Sequence, residues 1–291
     1  MTHWADAPPD LQELLALAAD LARDAGRLHT EGLESALRIE TKSSPTDLVS
    51  HIDHEAEHLI VGRLAHVRPG DAVFAEEGSR SESSTGVRWL IDPLDGTTNY
   101  VYGYPAFAVS IGVEIEGQPR IGVVYDSSAG HLYEAIAGWG VRCDGRPIRA
   151  REQTELSQAL VATGFSYEAA QRELQGLATA RVLGRVRDMR RGGSAALDLC
   201  HIAAGHLDAY WELDLSPWDY AAGSVIARAA GAEVVFADAA HGHGPAVVAA
   251  HPSLMPAFLD LLRETGALAW RCSPDAGVRA AAAPASPPRL E

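Results

Sequence analysis

The sequence predicts an α+β fold whose second half becomes α/β, and three observations carry that expectation. Apolar residues recur at helical spacing near the N-terminus, short β runs repeat between Ala106 and Ala137, and strands alternate with helices from Leu160 onward. Residues 1–150 are expected to form an N-terminal α+β half, residues 151–272 a C-terminal α/β half, and residues 273–291, rich in Ala, Pro and Ser, a disordered tail.

In order, Leu11, Leu14, Leu15, Leu17, Ala18, Leu21 and Ala22 define a helix from Leu11 to Leu28, with Ala25-Gly26 near its end. After a loop from Lys42 to Thr46, a second amphipathic helix is expected from about Leu48 to Val67, with Ile52, Leu59, Ile60 and Leu64 on its core side. His54 and His58 are an i, i+4 pair on it, a spacing that suits a metal but more often marks a solvated face. Ala72-Val73-Phe74 and then Val87, Trp89 and Ile91 read as strands, and Pro93 should stop the second because it cannot continue a ladder. Phe107 to Glu116, Ile121 to Tyr125 and His131 to Ala137 read as an antiparallel meander.

The second half is expected to run strand (from Leu160), helix (Gln171 to Gly184), helix (Ala195 to Ala204, capped by Ser194) and strand (Leu207 to Glu212). A helix from Tyr220 to Ala230, strands Ala232 to Ala237 and Pro245 to Ala250, and a helix from Ser253 to Thr265 complete it.

Composition narrows the function. With 291 residues and 47% hydrophobic content the chain can build an ample core. Its three cysteines, Cys143, Cys200 and Cys272, are widely spaced, which disfavours a disulfide framework or a thiolate zinc site and points to the cytoplasm. The N-terminal residues have no basic-then-apolar leader pattern, and no stretch suits a bilayer span. A formal charge of −15 makes direct nucleic-acid or anionic-membrane binding unfavourable, so an anionic substrate would have to be drawn in by metal.

The densest chemical information lies in Asp92-Pro93-Leu94-Asp95-Gly96-Thr97-Thr98-Asn99. A strand end, an acidic turn and a helix start coincide there. Two nearby carboxylates repel unless a cation or proton sits between them, and Mg²⁺ or Mn²⁺ with oxygen ligands is one remedy. The N–H groups of Gly96, Thr97 and Thr98 at the helix start suit an anion. Taken alone, the string fits an Asx turn with a capping aspartate equally well.

Other blocks tip that balance. Ala75-Glu76-Glu77, Trp218-Asp219, and Lys42-Ser43-Ser44-Pro45-Thr46-Asp47 followed by Asp53 stand with the central motif in an order that resembles the inositol monophosphatase family of metal-dependent, lithium-sensitive sugar phosphatases. The resemblance runs from about Leu11 to about Leu262. It implies an alternating αβαβα sandwich of the inositol monophosphatase and fructose-1,6-bisphosphatase type, with the active site between the halves. It further implies that Glu76, Asp92, Asp95, Asp219 and the Leu94 carbonyl hold two or three Mg²⁺ ions, Mn²⁺ being a substitute. Thr97, oriented by Asp53, and Glu76 would align or deprotonate the attacking water, with no covalent phosphoenzyme. Lys42 resembles the family's mobile loop lysine, and a homodimer is the implied assembly.

For substrate, the same resemblance places Gly96, Thr97 and Thr98 at the phosphate and Gly193, Ser194, Ala195, Glu212 and Asp219 at inositol hydroxyls. The expected reaction is hydrolysis of myo-inositol monophosphate, a small phosphorylated polyol. Histidinol phosphate, fructose 1,6-bisphosphate and 3′-phosphoadenosine nucleotides are alternative substrates within the superfamily, and a partner-binding role at the transcription machinery is a non-catalytic alternative. The sequence leaves open whether Arg190 and Arg191 face substrate, a subunit interface or solvent.

Overall fold

In a computed structural model, residues 4–33, 38–42, 46–237 and 244–268 are described. Ser43, Ser44 and Pro45 of the loop motif, Cys272 and the 273–291 tail lie outside the described residues.

The chain opens with α1 (Pro9–Leu33), whose buried stripe includes Leu11, Leu14, Leu15, Ala18, Leu21, Ala22 and Ala25. It runs past the expected end at Leu28, with Gly26 inside it. A Cβ at Gly26 would sit 2.3 Å from the Tyr125 ring, so glycine lets the helix lie close against the sheet. A small hairpin follows, β1 (Ile39–Thr41) antiparallel to β2 (Leu48–Ser50), so α2 (His51–Val67) begins three residues later than expected. Ser50 caps it: the Ser50 hydroxyl accepts from the Ile52 N–H at 3.2 Å, and Asp53 Oδ2 accepts from the Ser50 N–H at 2.8 Å. His54 and His58 lie on its exposed face.

A seven-stranded sheet has the order β3-β4-β5-β6-β7-β8-β9. Its strands are β3 (Ala72–Ala75), β4 (Val87–Asp95), β5 (Ala108–Ile115), β6 (Gln118–Asp126), β7 (His131–Ile136), β8 (Gly140–Cys143) and β9 (Arg146–Pro147). β3 pairs parallel to β4; the remaining neighbours are antiparallel, as the meander requires. Contrary to expectation β4 passes through Pro93. A register shift between Asp92 and Asp95 accommodates the missing N–H, and it leaves the intervening residues outside the ladder. Then α3 (Thr97–Tyr102) starts from Gly96.

The second sheet contains β10 (Leu160–Thr163), β11 (Asp188–Arg190), β12 (Ala209–Glu212), β13 (Glu233–Ala237) and β14 (Ala246–Ala250), in the order β11-β10-β12-β14-β13. It is mixed: β10 is parallel to β11 and β12, whereas β14 is antiparallel to β12 and β13. Between the sheets lie α5 (Ala195–Ala203) and α6 (Pro217–Ala229); on the outer face of the second sheet are α4 (Ala169–Leu183) and α7 (Met255–Thr265). A core of α1 and α2 residues with Trp89, Ile91 and Ile111 fills one interface, a second core joins both sheets through α5 and α6, and Trp211, Phe258 and Leu262 anchor the third. The expected αβαβα order is therefore observed. At Gly122 a Cβ would meet the Ala222 carbonyl at 2.3 Å, so α6 crosses the first sheet in near backbone contact. That approach sets the N-terminus of α6 beside the end of β4.

Candidate active site

Four carboxylates meet at this junction, each delivered by the end of an element. Glu76 follows β3, its N–H donating to the Ile91 carbonyl at 3.1 Å. Asp92 and Asp95 flank the β4 bulge; Asp92 Oδ1 accepts from the Leu94 N–H at 3.0 Å, folding the segment into an Asx turn. Asp219 sits in the first turn of α6, where Oδ2 accepts from the Ser216 N–H at 2.7 Å. Two contacts tie α6 to the first sheet: the Trp218 ring packs 5.0 Å from that of Phe74, and the Ser110 hydroxyl donates to the Trp218 carbonyl at 3.2 Å.

These groups feel one another. Burial raises Asp92 well above the ordinary carboxylate range, and the charges of Glu76, Asp95 and Asp219 push it further. Asp219 is raised by burial and then by Glu76 and Asp95. For Asp95, burial lifts the carboxyl to about 6 even though the Ser194 hydroxyl and the Ala196 N–H oppose the shift. Those two donors reach Asp95 Oδ2 at 2.6 and 2.7 Å, so Ser194, which also caps α5, fastens the acidic turn to it. Among the described residues no three of the four acids bring ligand atoms mutually within 4.8 Å. The Lys42 ammonium holds Glu76 at 2.8 Å and Glu77 at 2.5 Å. Burial disfavours that ammonium, but the two carboxylates outweigh it and raise its pKa.

The predicted base and its orienter are joined directly. The Thr97 hydroxyl donates to Asp53 Oδ1 at 2.8 Å, with the Leu94 carbonyl 3.1 Å away. Asp53 Oδ2 is saturated by the Ser50 N–H and hydroxyl at 2.8 and 2.7 Å, which fixes the carboxylate's orientation. Gly96 has φ 95°, and a Cβ there would lie 2.8 Å from the Ala106 carbonyl, so both conformation and space demand glycine. Asn99 closes the turn, donating to the carbonyls of Ala106 at 2.7 Å and Gly192 at 2.9 Å. Thr98 Oγ1 is buried with no hydrogen-bond partner among the described residues.

Across the cleft, Tyr210 donates to Glu212 Oε2 at 2.8 Å, and burial raises Glu212 to about 7 against the attraction of Arg191. The carboxylate fits because residue 164 is glycine: a Cβ there would lie 1.8 Å from Glu212 Oε1. The two arginines diverge. Arg190 is exposed and pairs with Asp188 at 2.8 Å, while the charge of Arg191 bears on Glu212 and Asp198. Gly193 (φ 88°) lets Arg191 pass; its Cβ would come within 2.4 Å of the guanidinium.

Sequence reasoning missed four supporting residues. Glu57 is buried and accepts from the Glu77 N–H at 2.7 Å and the Ser79 hydroxyl at 2.7 Å, fixing the Glu76-Glu77 turn. Its signal was its place four residues after Asp53 on one helix face. Glu77, raised to about 7 by burial and by Glu76, shares Lys42. Asp198 is buried, and its carboxyl is raised by burial and then by the charges of Glu212 and Asp95. His29 underpins the Asp92–Asp95 segment: its Nε2–H donates to the Pro93 carbonyl at 3.0 Å, and Nδ1 accepts from Ser127 at 2.9 Å. Burial lowers it to about 4, so the ring is neutral.

The donor set suits a hard divalent cation. All candidate ligands are oxygens, their mutual repulsion calls for positive charge, and the Thr98 hydroxyl is buried without a hydrogen-bond partner among the described residues. A layered sandwich with such a cluster between its sheets marks a metal-dependent phosphatase. The chain belongs to the inositol monophosphatase family, whose model matches residues 10–267. It is 45% identical over 240 residues to the inositol-1-monophosphatase SuhB of Mycobacterium tuberculosis, covering 79% of this chain and 83% of that protein. Similarity to the Nus factor SuhB of Vibrio cholerae is 39% identity over 263 residues, or 88% and 98% of the two chains. The solved inositol monophosphatase of Anabaena superposes with a TM-score of 0.76 at 33% identity, over 88% of this chain and 97% of that one. Among the described residues no helix is long and apolar enough to cross a membrane.

Proposed function

We propose that this chain is a Mg²⁺-dependent phosphomonoesterase that hydrolyses myo-inositol monophosphate to myo-inositol and phosphate, acting in the cytoplasm as a homodimer. One observation carries the substrate assignment. Glu212 lies seven residues before Asp219 in sequence, and its carboxylate is within electrostatic reach of both Asp219 and Asp95. That reach supports Glu212 as the group that takes the polyol hydroxyls.

Glu76, Asp92, Asp95, Asp219 and the Leu94 carbonyl would hold the ions, with Mn²⁺ as a substitute, and metal bound there neutralises an ester phosphate, acidifies water and offsets charge on a departing alkoxide. The chain's own groups do the rest. The Thr97 oxygen has a free lone pair, so it can accept a proton from the nucleophilic water while its own proton passes along the 2.8 Å bond to Asp53. Glu76 aligns the same water. Gly96, Thr97 and Thr98 present donors to the phosphate, the Thr98 hydroxyl being the one without a competing partner. Gly193, Ser194, Ala195 and Glu212 bind the polyol, and Lys42 brings a cation to the mouth of the cleft.

The test is phosphate release by the purified protein. Inositol 1-phosphate should turn over with Mg²⁺, be inhibited by lithium, and be preferred at equal concentration over histidinol phosphate, fructose 1,6-bisphosphate and 3′-phosphoadenosine nucleotide. Preference for another member overturns the substrate assignment. Asp95→Asn should retain the fold and lose ~100-fold or more of the activity. Wild-type rates in that variant reject the mechanism. A second reading, a protein-partner role at the transcription machinery, is favoured by the similarity to proteins named Nus factor SuhB. A net charge of −15 directs it to a protein surface rather than to RNA. Pull-down from cell extract with wild type and Asp95→Asn checks it: a partner role independent of catalysis recovers one transcription protein with both.

A further inference from the structure

We propose that the hairpin formed by β7 and β8 carries a second metal site, remote in sequence from the carboxylate cluster, in which His131 Nδ1, Cys143 Sγ and a carboxylate oxygen of Asp144 hold one borderline divalent ion of the zinc class. These three ligand atoms lie mutually within 4.8 Å, and among the described residues they are the trio of His, Cys, Asp or Glu that does so. His131 and Asp144 are exposed and Cys143 is half-buried, so an ion can enter from solvent.

The backbone pre-arranges the donors. Cys143 pairs with Tyr133 across the two strands, and His131, two residues before Tyr133, projects from the same face of the sheet. Asp144 follows with φ 48°, a left-handed turn that swings its side chain back over β7. Two bonds pin it: the Asp144 N–H donates to the Leu132 carbonyl at 2.9 Å, and the Leu132 N–H donates to Asp144 Oδ1 at 2.9 Å. Oδ2 is then left facing His131 Nδ1 at 2.7 Å. The Leu132 amide bonds the carboxylate, so one of the three ligands already has an outer partner of the kind that orients metal-binding groups.

Donor chemistry distinguishes this site from the cleft. One sulfur, one imidazole nitrogen and one carboxylate oxygen suit Zn²⁺ or Co²⁺ rather than Mg²⁺, with a fourth position left to water. The neighbouring Arg142 does not compete, because it is paired with Glu134 at 2.9 Å and stacked over Trp4. Arg146 is the cation that does bear on Asp144. Binding releases the Cys143 thiol proton to solvent and takes imidazole in its neutral form.

The probe is Co²⁺ added to the full-length protein in saturating Mg²⁺. A thiolate-to-cobalt charge-transfer band should grow to one equivalent and collapse on addition of Zn²⁺. Cys143→Ser should abolish it, and His131→Asn and Asp144→Asn should each weaken binding by more than about tenfold. Asn tolerates the left-handed backbone of residue 144, so that variant keeps the turn, and circular dichroism verifies the fold. Cys200→Ala, Cys272→Ser and Asp95→Asn should leave the band intact, because Cys200 is buried in α5 and an oxygen-only cluster produces no such band. No band at one equivalent, a band that survives Cys143→Ser, or full-strength binding without His131 or Asp144 overturns the proposal. Asp95→Asn separates this outcome from any failure of the phosphatase reading.

Discussion

Replacing Gly164 by alanine probes the polyol side of the cleft with a single added methyl group. The backbone at this position is outside the left-handed region, so alanine itself introduces no strain. The new Cβ would stand 1.8 Å from Glu212 Oε1, 1.9 Å from Cδ and 2.2 Å from Oε2, whereas ordinary contact begins at 3.4 Å. The carboxylate must therefore retreat by about 1.6 Å, a distance that no softening of van der Waals contact absorbs. Such a retreat breaks the 2.8 Å bond from Tyr210 and withdraws Glu212 from any substrate hydroxyl. Loss of one charge-assisted hydrogen bond is worth roughly 1.5–3 kcal/mol, so KM for inositol 1-phosphate should rise ~10- to 100-fold. An aryl phosphate has no hydroxyls for Glu212 to hold. Its kcat/KM should stay within about twofold, since the cluster that acts on phosphate is untouched. Steady-state kinetics on both substrates, with circular dichroism to verify folding, make the comparison. An unchanged KM for inositol 1-phosphate in a folded variant, or equal losses on both substrates, would refute the reasoning.

Three further outcomes follow from buried groups. His29 is held near pKa 4 by burial, against 6.5 unperturbed, so below about pH 6.5 the unfolded chain takes up a proton that the folded one refuses. This contribution to stability is complete above 6.5 and is lost as pH falls toward 4; urea midpoints at near-neutral pH and at about pH 5 should show wild type losing roughly 2 kcal/mol more than His29→Gln. Phe258 is fully buried and packs edge-on against Trp211 at 6.0 Å, so Phe258→Ala should lower stability by ~3–5 kcal/mol in the same assay, and a loss below about 1 kcal/mol would contradict the third core. Asp53→Asn removes the acceptor for Thr97: kcat should fall ~100-fold or more with KM little changed, and a preserved kcat would remove Asp53 from the proton path.

Much of this architecture was legible where local chemistry and tertiary packing agree. The meander, α5 with its Ser194 cap, and the turn at Asp95-Gly96-Thr97 formed where periodicity and turn residues placed them. Long-range contact overrode local preference elsewhere. Helix α1 runs on from Leu28 to Leu33, and Pro93 stays in β4 because a bulge absorbs it. The hairpin of β1 and β2 and the exposed β11 are three-residue pieces too short for a periodic signal. A local signal does mark the start of α2: Ser50-His51-Ile52-Asp53 is a capping box, and its acid is the one that accepts from Thr97. Glu77, Asp198 and His29 could not be assigned from the string, because each acquires its role from partners that only folding brings near.

The central claim is that acids from separate elements cage divalent ions beside Thr97 and Glu212. Anomalous diffraction from crystals soaked in Mn²⁺ tests it most directly. We expect at least one strong peak bounded by oxygens of Glu76, Asp92, Asp95 and Asp219, with Lys42 moved off Glu76. Full-strength peaks confined to other parts of the molecule, with the Lys42–Glu76 pair intact at saturating Mn²⁺, would contradict it.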